Sequence, residues 1–152
     1  ALLNARRRAD GDVQKVLPGA WRDFLLSAKA FFQFEADQTA RGERLLAEAR
    51  RRADPIVTPQ WRGRVRENRV KFHLRGSLNR QGLGPWIFHL DSEFNELIAP
   101  LKEIEKAYRD QVIALATPAQ RDAAVTQLRQ RAAEHGLQFD DLDAELLGLL
   151  PR

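Results

Sequence analysis

Apolar residues recur every three or four positions along most of this chain, and this spacing restricts the possible fold more than any other feature. The clearest example is the set Trp21, Phe24, Leu25, Ala28, Phe31 and Phe32. A helix of 3.6 residues per turn gathers residues at these intervals on one face. Sustained alternation of apolar and polar residues between hairpin turns, the pattern of half-buried strands, does not occur. The sequence therefore predicts an all-α fold.

Proline, glycine and capping residues divide the chain into a predicted bundle of five or six helices. These helices cover about 18–33, 36–53, 59–79, a long segment with an apolar stripe over 94–115, 118–135 and a terminal helix within 137–152. Pro100 lies inside the long helix and is expected to kink it, because proline removes one backbone hydrogen bond and clashes with the preceding turn. Thr117-Pro118-Ala119-Gln120 has the pattern of a capping box.

The length and composition of the chain narrow the classes of protein that it can represent. Its 152 residues suit a single helical domain, residues 1–152, with 1–11 expected to be a flexible or linker segment. Without cysteine there is no disulfide framework, thiolate nucleophile or cysteine metal site. The longest apolar run has five residues, Val112 to Ala116, whereas a membrane helix needs roughly 18 or more. The absence of methionine is expected of a processed or excised chain.

Positive charge is concentrated between Arg62 and Arg80. This segment has seven cations and one anion, a net charge of +6, while the whole chain has a formal net charge of +4. On a helical projection, two basic ridges flank an apolar face that holds Trp61 and Phe72. The candidate residues for binding an anion or a partner are Arg62, Arg64, Arg66, Arg69, Lys71, Arg75, Arg80, Trp61 and Phe72.

Two interpretations of this basic segment remain open from the sequence. In the first, it is a docking site for nucleic-acid phosphates, lipid headgroups or an acidic protein segment. In the second, the arginine stems cover apolar surface, and their guanidinium groups pair with acidic side chains of adjacent helices. The sequence does not decide whether Trp61 and Phe72 belong to the core or to an interface.

Residue patterns typical of catalysis are missing from the sequence. The three histidines are His73, His89 and His135; none follows a glutamate by three residues, and no pair has metal-ligand spacing. No serine lies in a nucleophile elbow. We therefore predict a protein that is not an enzyme, with no catalytic residue, no metal ion and no cofactor.

Two helix starts in the chain are similar to each other. Phe34 to Gln38 follows an aromatic helix, and Ala116 to Gln120, 82 residues later, follows the long apolar stripe. Together they resemble the paired "L-T-x-x-Q" helix starts of periplasmic Spy-type proteins. That resemblance implies a helical cradle, able to form a homodimer, that binds unfolded or partner protein through basic and apolar surface, for which the helix between Arg62 and Arg80 is our candidate.

The layout of the chain also resembles a helical extramembrane region of DoxX-type bacterial membrane proteins. The similarity lies in Leu17 to Trp21, Phe34 to Gln38 and Ile98 to Gln120, and it spans roughly residues 12–122. It implies a domain tethered beside a membrane, whose partner is another protein or its own membrane portion. Both resemblances imply a periplasmic or otherwise extracytoplasmic location.

We therefore expect a non-enzymatic, extracytoplasmic binding or interaction domain of a membrane-associated bacterial protein, chaperone-like if the Spy-type resemblance holds. The alternative is a module that binds nucleic acid or an anionic surface through the basic helix 59–80. We expect a protein partner ahead of nucleic acid, because no helix-turn-helix or RNP-like aromatic strand is recognisable.

Overall fold

The computed structural model describes residues 1–82, 84–87 and 89–138. All regular structure in these residues is helical, which confirms the all-α prediction. The α-helices are α1 (Leu2–Val16), α2 (Trp21–Phe32), α3 (Ala36–Ala53), α4 (Pro59–His73), α5 (Arg75–Arg80), α6 (Gly84–Ile87), α7 (Leu90–Ala114) and α8 (Pro118–Glu134). A short 3-10 helix, Pro18–Ala20, joins α1 to α2.

The helix ends follow local chemistry that the sequence displays. Thr58 caps α4 by accepting a hydrogen bond from the Trp61 amide at 3.1 Å, with Pro59 at the first helical position. Thr117 and Gln120 form the predicted capping box of α8. Gly136 follows α8 with a φ of +70°, in the left-handed conformation that glycine adopts without steric cost.

Two helical segments differ from the sequence-based expectation. Residues 1–11, expected to be flexible or a linker, lie almost entirely within α1, whose small residues Ala5 and Ala9 are buried. The predicted helix over 59–79 is divided at Leu74 into α4 and α5. Gly76 and Ser77, just beyond the division, have low helix propensity, which weakens the continuation.

Three further predictions concern the long helix, the C-terminal segment and the domain organisation. Helix α7 continues through Pro100, and a kink at that proline stays a prediction. The predicted terminal helix of 137–152 lies, from residue 139 onward, outside the described residues. Whether the chain behaves as one domain also stays a prediction.

The chain divides into two compact units. Unit 1 contains Ala1–Trp21 and Ala49–Glu105, and unit 2 contains Arg22–Glu48 and Lys106–Arg152. In unit 1, helix α1 packs against α4. The side chains buried in this unit include those of Val13, Leu17, Trp21, Trp61, Val65, Leu90, Leu97, Ile98, Leu101 and Ile104.

In unit 2, the core combines aromatic and aliphatic side chains of four helices. Its buried residues include Leu25, Phe32, Phe34, Leu46, Tyr108, Val112, Ala124 and Val125. Helices α2 and α3 approach closely at Gly42, where a Cβ atom would lie 2.5 Å from a methyl carbon of Leu25. A larger residue at this position would push the two helices apart or force Leu25 to move.

Candidate binding site

The predicted basic segment lies on α4 and α5 of unit 1, and most of its charges face solvent. Arg62, Arg64, Arg66, Lys71, Arg75 and Arg80 are exposed. Arg69 is only 6% exposed, so it belongs to the interior of the unit. The helical projection placed Arg69 on a basic ridge and could not show that the Phe94 ring of α7 lies against its guanidinium group.

Arg69 is the centre of a buried polar cluster. Its Nε and Nη2 atoms donate to the Oδ1 atom of Asn68 at 2.9 and 2.7 Å. The Asn68 Nδ2 atom in turn donates to the Leu90 carbonyl oxygen at 2.9 Å and to a carboxylate oxygen of Glu93 at 3.1 Å. Buried polar groups need such partners, because unsatisfied ones cost about 1–3 kcal/mol each.

Aromatic rings complete the surroundings of Arg69. Its guanidinium carbon lies 3.8 Å from the ring centre of Phe94 and 4.5 Å from that of Phe72, within cation–π distance. Burial lowers the pKa of Arg69 from its ordinary value, while the negative charge of Asp91, 3.6 Å from Nη2, opposes that shift. The group nevertheless keeps its charge, since arginine is not deprotonated in proteins.

Several exposed cations are already engaged within unit 1. The Arg66 Nε atom donates to the Asp10 carboxylate at 2.6 Å, and this hydrogen bond raises the pKa of Arg66. Lys71 pairs with Glu67, one turn earlier, at 3.2 Å. These contacts agree with the interpretation in which basic residues pair with neighbouring acids.

The two aromatic residues of the predicted site have different surroundings. Trp61 is 9% exposed, and its Nε1 atom donates to the Leu97 carbonyl oxygen at 2.7 Å, so it is a core residue. Phe72 is half-buried; the guanidinium of Arg75 lies 4.1 Å from its ring centre, in addition to that of Arg69. Trp61 is therefore unavailable for stacking on a ligand, and cations already occupy positions over Phe72.

Three cations of the segment are left without such contacts. Within residues 1–82, 84–87 and 89–138, Arg62, Arg64 and Arg80 form no ion pair, hydrogen bond or ring contact through their side chains. These three residues, named here the free arginines, are all exposed. Their guanidinium groups can meet an anionic partner without first breaking an internal contact.

One free arginine also lines a cleft of unit 1. The cleft has a volume of about 560 Å³, and its walls include Leu17, Pro18, Arg50, Asp54, Val57 and Arg62. Its size falls in the range of about 300–1,000 Å³ usual for ligand pockets. No local sequence pattern marks this cleft, because its walls come from residues spread between 14 and 62 of the chain.

No group of three or more histidine, cysteine, aspartate or glutamate residues among the described residues is arranged to hold a metal ion. The His73 Nε2 atom lies 2.7 Å from a carboxylate oxygen of Asp12, a contact that links α4 to α1. This pair is a helix–helix contact of unit 1.

Unit 2 contains a reciprocal pair of amides at the two similar helix starts. The Gln38 Nε2 atom donates to Gln120 Oε1 at 2.7 Å, and Gln120 Nε2 donates to Gln38 Oε1 at 2.9 Å. Each Oε1 atom also accepts from the backbone three residues earlier, from Glu35 and Thr117 respectively, both at 2.8 Å. The similarity of the two segments was the sequence signal for this arrangement, which we name the glutamine pair.

The glutamine pair extends to the backbone that precedes each helix. Gln38 Nε2 donates to the Leu115 carbonyl oxygen at 2.8 Å, and Gln120 Nε2 donates to the Gln33 carbonyl oxygen at 3.2 Å. Both acceptors lie five residues before the glutamine at their own helix start. Gln38 therefore contacts both the start of α3 and the residue that follows α7. Gln120 contacts both the start of α8 and the residue that follows α2.

An apolar groove also opens on unit 2. It has a volume of about 270 Å³ and is lined by Phe24, Ser27, Ala28, Phe31, Phe32, Ile113 and Leu128. Phe24 makes an edge contact with Tyr108, with ring centres 6.1 Å apart. The aromatic helix predicted over 18–33 therefore contributes both to the core and to an open apolar surface.

Comparison of the chain with family models, with curated proteins and with solved structures finds no match. None of the helices in the described residues combines the length and the apolar character needed to cross a membrane.

Proposed function

We propose that this chain is a non-enzymatic interaction domain that binds an acidic segment of a protein partner through the free arginines of unit 1. The observation that carries the proposal is the difference between these residues and the other cations of the segment. Arg66, Arg69, Lys71 and Arg75 have side-chain contacts within the unit, whereas the free arginines have none with the described residues. Positive charges without internal partners attract anionic partners and speed their association.

An acidic protein segment fits these residues better than nucleic acid does. Sequence-tolerant binding of single strands relies on aromatic side chains that stack on bases, in addition to a basic groove. The indole of Trp61 is buried and hydrogen-bonded, and the Phe72 ring already contacts two guanidinium groups. A binder of nucleic acid or of anionic surfaces through helix 59–80 remains the alternative, and the same experiment tests it.

The location of the domain is part of the proposal. We propose that it is extracytoplasmic and belongs to a membrane-associated bacterial protein, as the resemblance to DoxX-type extramembrane regions implies. The comparison with paired Spy-type helix starts is likewise part of the proposal; in this chain the two similar segments contact each other through the glutamine pair. A chaperone-like activity and a homodimer are further expectations from that comparison.

The experiment is a binding titration with a glutamate-rich peptide, carried out at low and moderate salt. A double variant, Arg64→Gln with Arg80→Gln, removes two free arginines and leaves the cleft lining intact. We expect binding to weaken by about fivefold to thirtyfold, equivalent to about 1–2 kcal/mol. The matched control, Arg41→Gln with Arg44→Gln, removes two exposed charges from α3 in unit 2 and should leave binding nearly unchanged.

Other outcomes distinguish the alternatives. Equal losses of binding in the double variant and in its control would show that binding depends only on the net charge of the protein, and would contradict the proposal. Tight binding of an oligonucleotide with a steep salt dependence, and none of the peptide, would favour the nucleic-acid alternative. Suppression of the aggregation of an unfolded client protein, unaffected by salt or by either variant, would instead support a chaperone-like function.

A further inference from the structure

The cleft of unit 1 lies where three helix ends meet. Leu17, the residue after α1, is extended and directs the chain into the 3-10 helix that begins at Pro18. On the opposite side, α3 ends at Ala53, a turn follows in which Ile56 and Val57 donate to the Ala53 carbonyl oxygen, and α4 begins. These ends place Arg50, from the last turn of α3, and Arg62, from the first turn of α4, along the same cleft.

The charges along the cleft are not neutralised by ion pairs with the residues of unit 1 that the structure describes. Arg50 is half-buried and Arg62 is exposed, and neither makes an ion pair or hydrogen bond through its side chain with any described residue. Asp54 also lines the cleft and forms no ion pair with described residues. Two guanidinium groups and one carboxylate give the cleft a net charge of about +1 at neutral pH.

This charge and lining favour one class of ligand. A planar carboxylate matches the donor geometry of a guanidinium group and carries a single negative charge. A phosphate dianion concentrates two negative charges on one group, so Asp54 repels it more strongly than it repels a single carboxylate group. Leu17, Pro18 and Val57 add apolar surface suited to the carbon chain that bears the carboxylate.

We propose that this cleft binds a carboxylate group, held by Arg50 and Arg62, with its carbon chain against Leu17, Pro18 and Val57. The carboxylate comes from a side chain of the acidic protein segment or from a free organic acid. If the carboxylate comes from the acidic protein segment, this inference rests on the proposed function and adds to it a specific binding site for one acidic side chain. Arg62 serves both surfaces, whereas Arg50 belongs to the cleft alone.

The test measures the binding of two probes, succinate and a glutamate-rich peptide, by the backbone amide signals of Gly19, Ala20 and Val57. Saturable shifts of these signals are expected with at least one of the probes. Arg50→Gln should weaken that binding about tenfold or more, since it removes a charged hydrogen-bond donor. Arg52→Gln is the matched control, because Arg52 is an exposed cation of the same helix turn that does not line the cleft.

A second variant tests whether the negative charge of Asp54 opposes the binding of a carboxylate. Asp54→Asn removes the only negative charge among the described residues that line the cleft, so it should tighten binding of either probe severalfold. Inorganic phosphate should compete weakly with succinate in the unsubstituted protein and more strongly in Asp54→Asn. Phosphate binding tighter than succinate binding in the unsubstituted protein would overturn the assignment of a carboxylate.

The failure of this inference can be separated from that of the proposed function. Peptide binding that falls in Arg64→Gln with Arg80→Gln but is unchanged in Arg50→Gln would overturn the cleft and leave the proposed function standing. Succinate binding that depends on Arg50, with no peptide binding, would establish the cleft for a free organic acid and overturn the proposed function. Equal effects of Arg50→Gln and Arg52→Gln would overturn the cleft assignment.

Discussion

The glutamine pair of unit 2 provides a quantitative test of how the two similar helix starts are held. We choose Gln38→Met and Gln120→Met, because methionine approximates the length of glutamine and cannot replace its hydrogen bonds. Gln38 is 6% exposed and takes part in four hydrogen bonds, two of them with Gln120. At about 0.5–1.5 kcal/mol per bond, offset by the added apolar burial, we expect Gln38→Met to cost about 2–3 kcal/mol.

The double variant tests the coupling between the two residues. Gln120 is half-buried and also has four contacts of this kind, so Gln120→Met should cost about 1.5–2.5 kcal/mol. Because the two amide–amide bonds are shared, they are lost only once when both residues are replaced. The double variant should therefore cost about 1–2 kcal/mol less than the sum of the single variants.

The assay is urea-induced unfolding followed by far-ultraviolet circular dichroism, with the free energy of unfolding obtained for each of the four proteins. Gln130→Met is the matched control, since Gln130 is an exposed glutamine of the same helix α8. It should change stability by less than about 0.5 kcal/mol. Additivity of the two single variants within about 0.5 kcal/mol would refute the reciprocal arrangement.

Three further substitutions test other contacts by the same unfolding measurement. Arg69→Met should cost about 2–3 kcal/mol, because Asn68 loses two donors and two aromatic rings lose their cation; a loss below about 0.5 kcal/mol would mean that the cluster contributes little. Trp61→Phe should cost about 1–2 kcal/mol by leaving the Leu97 carbonyl oxygen without its indole donor, and an unchanged midpoint would contradict this. Thr117→Ala should cost about 1 kcal/mol through the lost cap, whereas Thr117→Ser should retain most of the stability.

The parts of the fold that depend on nearby residues could be predicted from the sequence. The capping box at Thr117, the start of α4 at Pro59 and the left-handed glycine at Gly136 all involve residues within one turn of each other. Capping and backbone sterics act over that distance, so the pattern of residue types contains the required information. The helical class follows from periodicity for the same reason.

The parts that depend on residues far along the chain could not be predicted in this way. Arg69 is buried because Phe94 and Leu90, over twenty residues later, cover it. A helical projection places Arg69 on a basic ridge but cannot show which ridge another helix covers. The similarity between the starts at Gln38 and Gln120 was visible, yet their direct hydrogen bonds depend on a tertiary contact across 82 residues.

The candidate site also combines features that the sequence shows with features that depend on distant residues. The sequence located the basic segment correctly and left open whether its charges pair internally or meet a partner. Internal pairing applies to Arg66, which pairs with Asp10, while docking stays a proposal for Arg64, which has no partner among the described residues. The cleft beside Arg50 required the structure, because no local pattern marks a meeting of three helix ends.

The alanine face of α1 has a consequence for local opening of the molecule. Ala5 and Ala9 bury one methyl group each, which contributes about 0.8 kcal/mol per group, and the ion pair of Asp10 with Arg66 is exposed to solvent. The N-terminal half of α1 should therefore open before its C-terminal half, which buries Val13 and contacts His73 through Asp12. Its amide hydrogens should exchange with solvent faster than those in the middle of α4, and trypsin should cut first within Arg6-Arg7-Arg8.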